Sequence, residues 1–115
     1  MPDIKGTETE KNLLKAIELN GDNFAYHYYL SQAYYDRKQY SKAVASLRSS
    51  EPLATDSQSK LALYSLRGFS YSALEKWGDA VEDLEKAKGI KPNGAILAAL
   101  AKAYYSLGYN DKAVP

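Results

Sequence analysis

The chain has 115 residues, 45% hydrophobic and 25% charged, the balance of a globular protein and not of a disordered tail. Fifteen basic residues against fourteen acidic ones leave a formal charge of +1, too little field to gather phosphate backbones, so nucleic acid is not an expected partner. Cysteine is absent, which excludes disulfide scaffolds, thiolate metal sites and cysteine nucleophiles, and no apolar run is long enough to span a membrane.

Residues 1–7 read as a disordered or appended leader. They lack the charged and apolar regions of a secretory signal; the compartment is not deduced from this, and the cytoplasm stands only as a default. Thr7-Glu8-Thr9-Glu10 fits a capping box, and Leu13, Leu14 and Ile17 then trace an amphipathic helix to about Leu19, stopped by Asn20-Gly21-Asp22-Asn23. A second helix is predicted from Phe24 to Arg37 and a third from Tyr40 to Ser49, ended by Glu51-Pro52. Thr55-Asp56-Ser57-Gln58 offers another capping box for a fourth helix reaching about Leu74. The fifth spans Gly78 to Lys88, with Gly89 expected in a left-handed cap. After the turn Lys91-Pro92-Asn93-Gly94 a sixth runs to Leu107, and Asn110 to Val114 starts a seventh. No segment alternates like a half-buried strand, and short connections between helices of this length imply antiparallel neighbours.

Internal repeats run through this pattern. The leading tyrosines Tyr34, Tyr71 and Tyr104 step by 37 and 33, as do the small residues Ser31, Gly68 and Ala101 and the pairs Ala43-Val44, Ala80-Val81 and Ala113-Val114. Leu13, Leu47 and Leu84 step by 34 and 37, together with Ala16, Ser50 and Ala87 and with Leu19, Leu53 and Ile90. The three extra residues of the longer step fall most simply in the loop Pro52-Leu53-Ala54-Thr55-Asp56.

These slots resemble the tetratricopeptide repeat, a helix–turn–helix unit of 34 residues with the pattern W-x₂-L-G-x₂-Y, A-x₃-F and P. Tyr64, Gly68 and Tyr71 stand in the first-helix slots, Trp77 marks the turn, Ala80 and Leu84 the second helix, and Pro92 the closing turn. Arg67 departs from the pattern by occupying the leucine slot. The resemblance covers nearly all of residues 8–115. It implies an all-α, right-handed superhelical solenoid of about three units, incomplete at both ends: 8–23 the second helix of a partial repeat, 24–56 and 57–93 full repeats, 94–115 a partial one. The chain is then expected to be cut from a longer array whose exposed ends self-associate into a homo-oligomer.

Candidate chemistry is sparse, and no catalytic residue, metal site or cofactor is expected. His27, the sole histidine, lies in a helix-pairing slot with no second nitrogen or sulfur ligand in view. Glu82, Asp83 and Glu85 read as a solvated acidic face with a weak Glu82–Lys86 pair. No serine sits in a nucleophile elbow, and no P-loop, dinucleotide or EF-hand pattern occurs. Arg37, Lys38 and Lys42 surround Tyr40, but acidic neighbours break any basic stripe.

In the family the first helix of each unit lines the concave face, where ligand peptides lie. Carried over slot by slot, the resemblance assigns a peptide-binding groove to Tyr28, Tyr29, Gln32, Tyr35 and Asp36, then Ser65, Leu66, Phe69, Ser72 and Ala73. In the third unit it assigns Ala98, Ala99, Lys102, Tyr105 and Ser106. Half of these tyrosines are expected to pack between helices. Some family members clamp a C-terminal carboxylate with lysine, asparagine and arginine. Here those slots hold Tyr28, Gln32, Leu66, Ala95 and Ala99, which excludes a co-chaperone of that type. The implied function is a non-catalytic module binding a protein or peptide in an aromatic groove. The alternatives are a self-assembling segment of a longer array and a regulatory repeat domain of a larger enzyme.

Overall fold

The computed structural model describes residues 4–108, with side chains from residue 6 onward. Six α-helices follow one another: α1 (Ile4–Leu19), α2 (Phe24–Asp36), α3 (Tyr40–Ser50), α4 (Ser57–Ala73), α5 (Trp77–Ile90) and α6 (Gly94–Ser106), with a 3₁₀ turn at Glu51–Leu53. No strand occurs among the described residues. Each helix packs mainly on its neighbours in sequence, and α2 also meets α4 and α4 meets α6, the contact order of a helical-repeat solenoid. In the repeat register α2, α4 and α6 are first helices, and α1, α3 and α5 are second helices. The expected seventh helix, with Ala113-Val114, lies outside the described residues.

The two helix types start differently. α2, α4 and α6 each open on a side-chain cap: Asn23 accepts from the Ala25 amide (2.9 Å), Asp56 from Ser59 (2.7 Å) and Asn93 from Ile96 (2.9 Å). α3 and α5 have no such cap, because they emerge directly from a turn that closes the helix before them. In the first turn the Lys38 amide donates to the Tyr35 carbonyl and the Gln39 amide to Tyr34. In the second, Glu75 donates to Ser72 and Lys76 to Tyr71. This is the Schellman arrangement, which needs one residue in the left-handed region. That residue is Lys38 (φ 61°), Glu75 (φ 60°) and, in the third unit, Gly108 (φ 85°). The first two turns, 37 residues apart, thus share one backbone device, and the third unit has the same left-handed residue 33 residues further on.

Several sequence expectations are corrected at this level. α1 begins at Ile4, so residues 4–7 are helical and Thr7 is not a cap. Glu10, expected to fold back on its own helix, instead reaches α2, accepting from Arg37 Nη1 at 2.9 Å and bonding Tyr34. Asp56, and not Thr55, caps α4. Gly89 lies inside α5 and is not among the positive-φ residues.

Packing follows the repeat slots. Ser31, Ala43 and Ala80 have no exposed surface, and at Gly68 the helices nearly touch. A Cβ there would stand 2.7 Å from Leu84 Cγ. One core cluster joins Leu47, Ala54, Leu63 and Leu66, covered by Phe24, Tyr28 and Tyr35 of α2. The other joins Val44, Tyr71, Ala80, Leu84, Ala87, Ile96 and Leu100 across α3 to α6. Tyr71 and Tyr104 each bridge to the preceding second helix at matching slots. Arg48 Nη2 donates to the Tyr71 hydroxyl (2.8 Å), and the Tyr104 hydroxyl donates to Glu85 Oε1 (3.0 Å).

Candidate functional site

The predicted groove residues do not form one continuous lining. Leu66 is only 4% exposed and belongs to the core between α3 and α4, which removes it from any binding surface. Phe69 is half-buried against the second core cluster. Tyr28 stacks on Phe24 (ring centroids 6.2 Å, planes 9° apart) and Tyr35 meets Tyr40 edge-on at 5.3 Å, both over the first cluster. Burial holds the Tyr28 and Tyr35 phenols above the ordinary 10.0, with smaller contributions from Tyr29 and Asp36 at Tyr28, and from Tyr40 and Asp36 at Tyr35. These four residues chiefly pack helices. Ser65 and Ser72 are half-buried, and the Ser72 hydroxyl oxygen finds no hydrogen-bond partner among the described residues.

Two groups of the predicted residues remain on the surface. At the far end Ala98, Lys102 and Tyr105 lie exposed on α6, and Lys102 Nζ sits 5.8 Å over the Trp77 ring. At the near end Tyr29, Gln32 and Asp36 come together with α1. There they line a groove of about 500 Å³ with Thr9, Asn12, Leu13 and Ala33. Its floor is apolar, made by Leu13, Ala33 and the 58% exposed Tyr29. Its rim is polar, and Gln32 Nε2 donates to Asp36 Oδ1 at 2.9 Å, fixing the amide and the carboxylate side by side. An apolar trough with a few oriented polar groups suits a side chain or helix of another protein.

The largest charged feature was missed by the sequence reading. Arg67 is buried and donates through Nε to Asp83 Oδ2 (2.7 Å) and through Nη2 to Asp83 Oδ1 (2.9 Å), a two-pronged pairing between α4 and α5. Its Nη1 reaches Glu51 Oε1 (2.7 Å) in the 3₁₀ turn. The Asp83 hydrogen bonds, with help from Glu51, hold the guanidinium protonated against the opposing effect of burial. Asp83, expected on a solvated face, is therefore a core residue, whereas Glu82 and Lys86 do form the expected exposed pair at 3.6 Å. These groups face a polar cleft of about 330 Å³ with Arg48 and Tyr71. Arg67 and Asp83 satisfy one another there, so their role is structural. His27 is likewise engaged, its Nε2 donating to the Gly21 carbonyl at 2.8 Å and tying α2 to the preceding loop. Among the described residues no cluster of three or more metal-ligating side chains occurs, and no helix is long and apolar enough to cross a membrane.

The sequence matches no family model and no curated protein. Four chains of solved structures do match in fold, among them one described as MamA MSR-1 C2, at 22% identity and a TM-score of 0.77. The superposition covers 97% of this chain and 63% of that one, so the chain spans under two thirds of its neighbour's length. At that identity the likeness speaks for architecture alone, and what it supports is a tetratricopeptide-like helical-repeat fold.

Proposed function

We propose that this chain is a non-catalytic protein-interaction module that takes a segment of another polypeptide on its first-helix face. The observation that carries the reading is the α1–α2 groove, where Leu13, Ala33 and the exposed Tyr29 make an apolar floor beside the fixed Gln32–Asp36 pair. A rigid tyrosine that is half in solvent offers a large contact area at small entropic cost, the usual anchor of an interface. The helical-repeat fold supports the reading, since stacked units present extended surfaces used for binding. The fixed pairing of Arg67 with Asp83 and of His27 with Gly21 gives these three side chains structural work. A peptide library panned on the chain tests the proposal. Selected peptides should lose roughly 30-fold in affinity for Tyr29→Ala, measured by fluorescence polarisation. Selection of no peptide, or of peptides that bind Tyr29→Ala undiminished, would overturn it.

A further inference from the structure

The α1–α2 groove repeats a surface that the chain itself fills one unit further on. Steps of 34 in the second helices and 37 in the first helices carry Leu13 to Leu47 and Tyr29 to Leu66. Leu47 and Leu66 are buried because α2 lays Tyr28 and Tyr35 over their cluster. The groove is therefore a seat for a first helix, and its floor residue Tyr29 is open to solvent.

The chain also carries a first helix whose matching face is open. Tyr35 steps by 37 and 33 to Tyr105 of α6, which is 71% exposed, and Tyr28 steps to Ala98, also exposed. Ala101 takes the slot of Gly68, the point where Leu84 of the paired second helix comes closest, and Leu13 is the α1 counterpart of Leu84. The charges agree as well. Lys102 is on the exposed side of α6, and the Asp36 carboxylate is on the groove rim.

We propose that α6 of one copy seats in the α1–α2 groove of a second copy, with Tyr105 laid across the second copy's Leu13 and Tyr29. The inference rests on the reading of that groove as a protein-binding site and names its occupant. The contact reuses a packing already present twice inside each chain, where α2 sits on α3 and α4 and where α4 sits on α5 and α6. It joins two different surfaces, so copies add head to tail and do not close as a symmetric pair.

Sedimentation velocity on the full chain over a wide concentration range tests this. The wild-type mean mass should rise steadily with concentration. Tyr29→Asp and Tyr105→Asp, both at exposed positions and checked for helicity by circular dichroism, should each weaken self-association by roughly 30-fold or more. Mixed, the two variants should form a one-to-one dimer that grows no further, because together they supply one intact groove and one intact α6. A wild-type chain that stays monomeric overturns the inference. So does Tyr29→Asp associating alone as well as the wild type, which would mean a symmetric α6 contact, and so does a mixture that stays monomeric. A monomeric chain whose groove still selects peptides defeats this inference and leaves the proposed function standing, whereas one that neither associates nor selects peptides defeats both.

Discussion

Replacing Lys38 and Glu75 by glycine should stabilise the protein. Both are exposed, so little side-chain contact is lost, and both hold φ near +60°. An L-residue in that region carries a cost of about 1–2 kcal/mol, from the approach of Cβ to the following carbonyl, which glycine escapes. Against this, glycine adds about 0.5–1 kcal/mol of freedom to the unfolded chain. The expected net gain is about 0.5–1 kcal/mol per site. The two turns belong to different units and share no hydrogen bond, so the double variant should gain nearly the sum. Thermal melts followed by helical circular dichroism should show the midpoint rising by roughly 3–6 °C per site for a chain of this size. Lys38→Ala is the control, since it removes the charge and keeps the strain; it should change little. Gly108→Ala should move the other way. If Lys38→Gly instead lowers the midpoint as far as a glycine inside an ordinary helix would, the residue is not held in the left-handed region and the shared turn geometry is wrong.

Arg67→Leu alone should cost about 3–5 kcal/mol in urea denaturation, because it leaves the Asp83 carboxyl unpaired in the core, while Arg67→Leu with Asp83→Ala should recover much of that loss; equal losses for single and double variants would refute the pairing. Gly68→Ala should destabilise by about 1–3 kcal/mol, since the new Cβ meets the branched end of Leu84, yet Gly89→Ala in α5, with nothing within 4 Å, should stabilise by about 0.5–1 kcal/mol; the same sign at both positions would contradict the close crossing. The phenols of Tyr28, Tyr34, Tyr35 and Tyr104 all sit above 10.0 in the folded state, chiefly through burial. The folded form thus keeps protons that the unfolded form releases, so their contribution is complete below pH 10.0 and fades as pH rises through the folded values. Ultraviolet titration should show a late-ionising set of tyrosines accompanied by loss of helicity, and one uniform transition at the ordinary value would refute it.

The small and leucine slots were legible because each recurs in every unit and has one mechanical cause. Gly68, Ala43 and Leu84 lie where the sequence pattern placed them. The Arg67–Asp83 pair left a signal that went unread. Arg67 steps to Leu30 and Leu100, both buried, so a charge in that slot must find a partner. Asp83 steps back to Ser46 and Asn12, a simultaneous departure on the facing helix. The left-handed turns were hidden for a different reason, since only Gly108 advertises the conformation and Lys38 and Glu75 adopt it without a residue type that announces it. The groove assignment went astray at Leu66 because a slot that lines the surface in one unit is covered by a neighbouring helix in the next.

The position of the Arg67 cluster along the chain has a kinetic consequence. It ties α4, α5 and the turn after α3 into one block midway through the stack, while α1 is held chiefly by α2. In a one-dimensional array, opening spreads inward from the least supported unit. Amide protons of α1 should therefore exchange through frequent local fraying. Those of α4 and α5 should exchange only when the clasp at Arg67 lets go, a rare event close to complete unfolding.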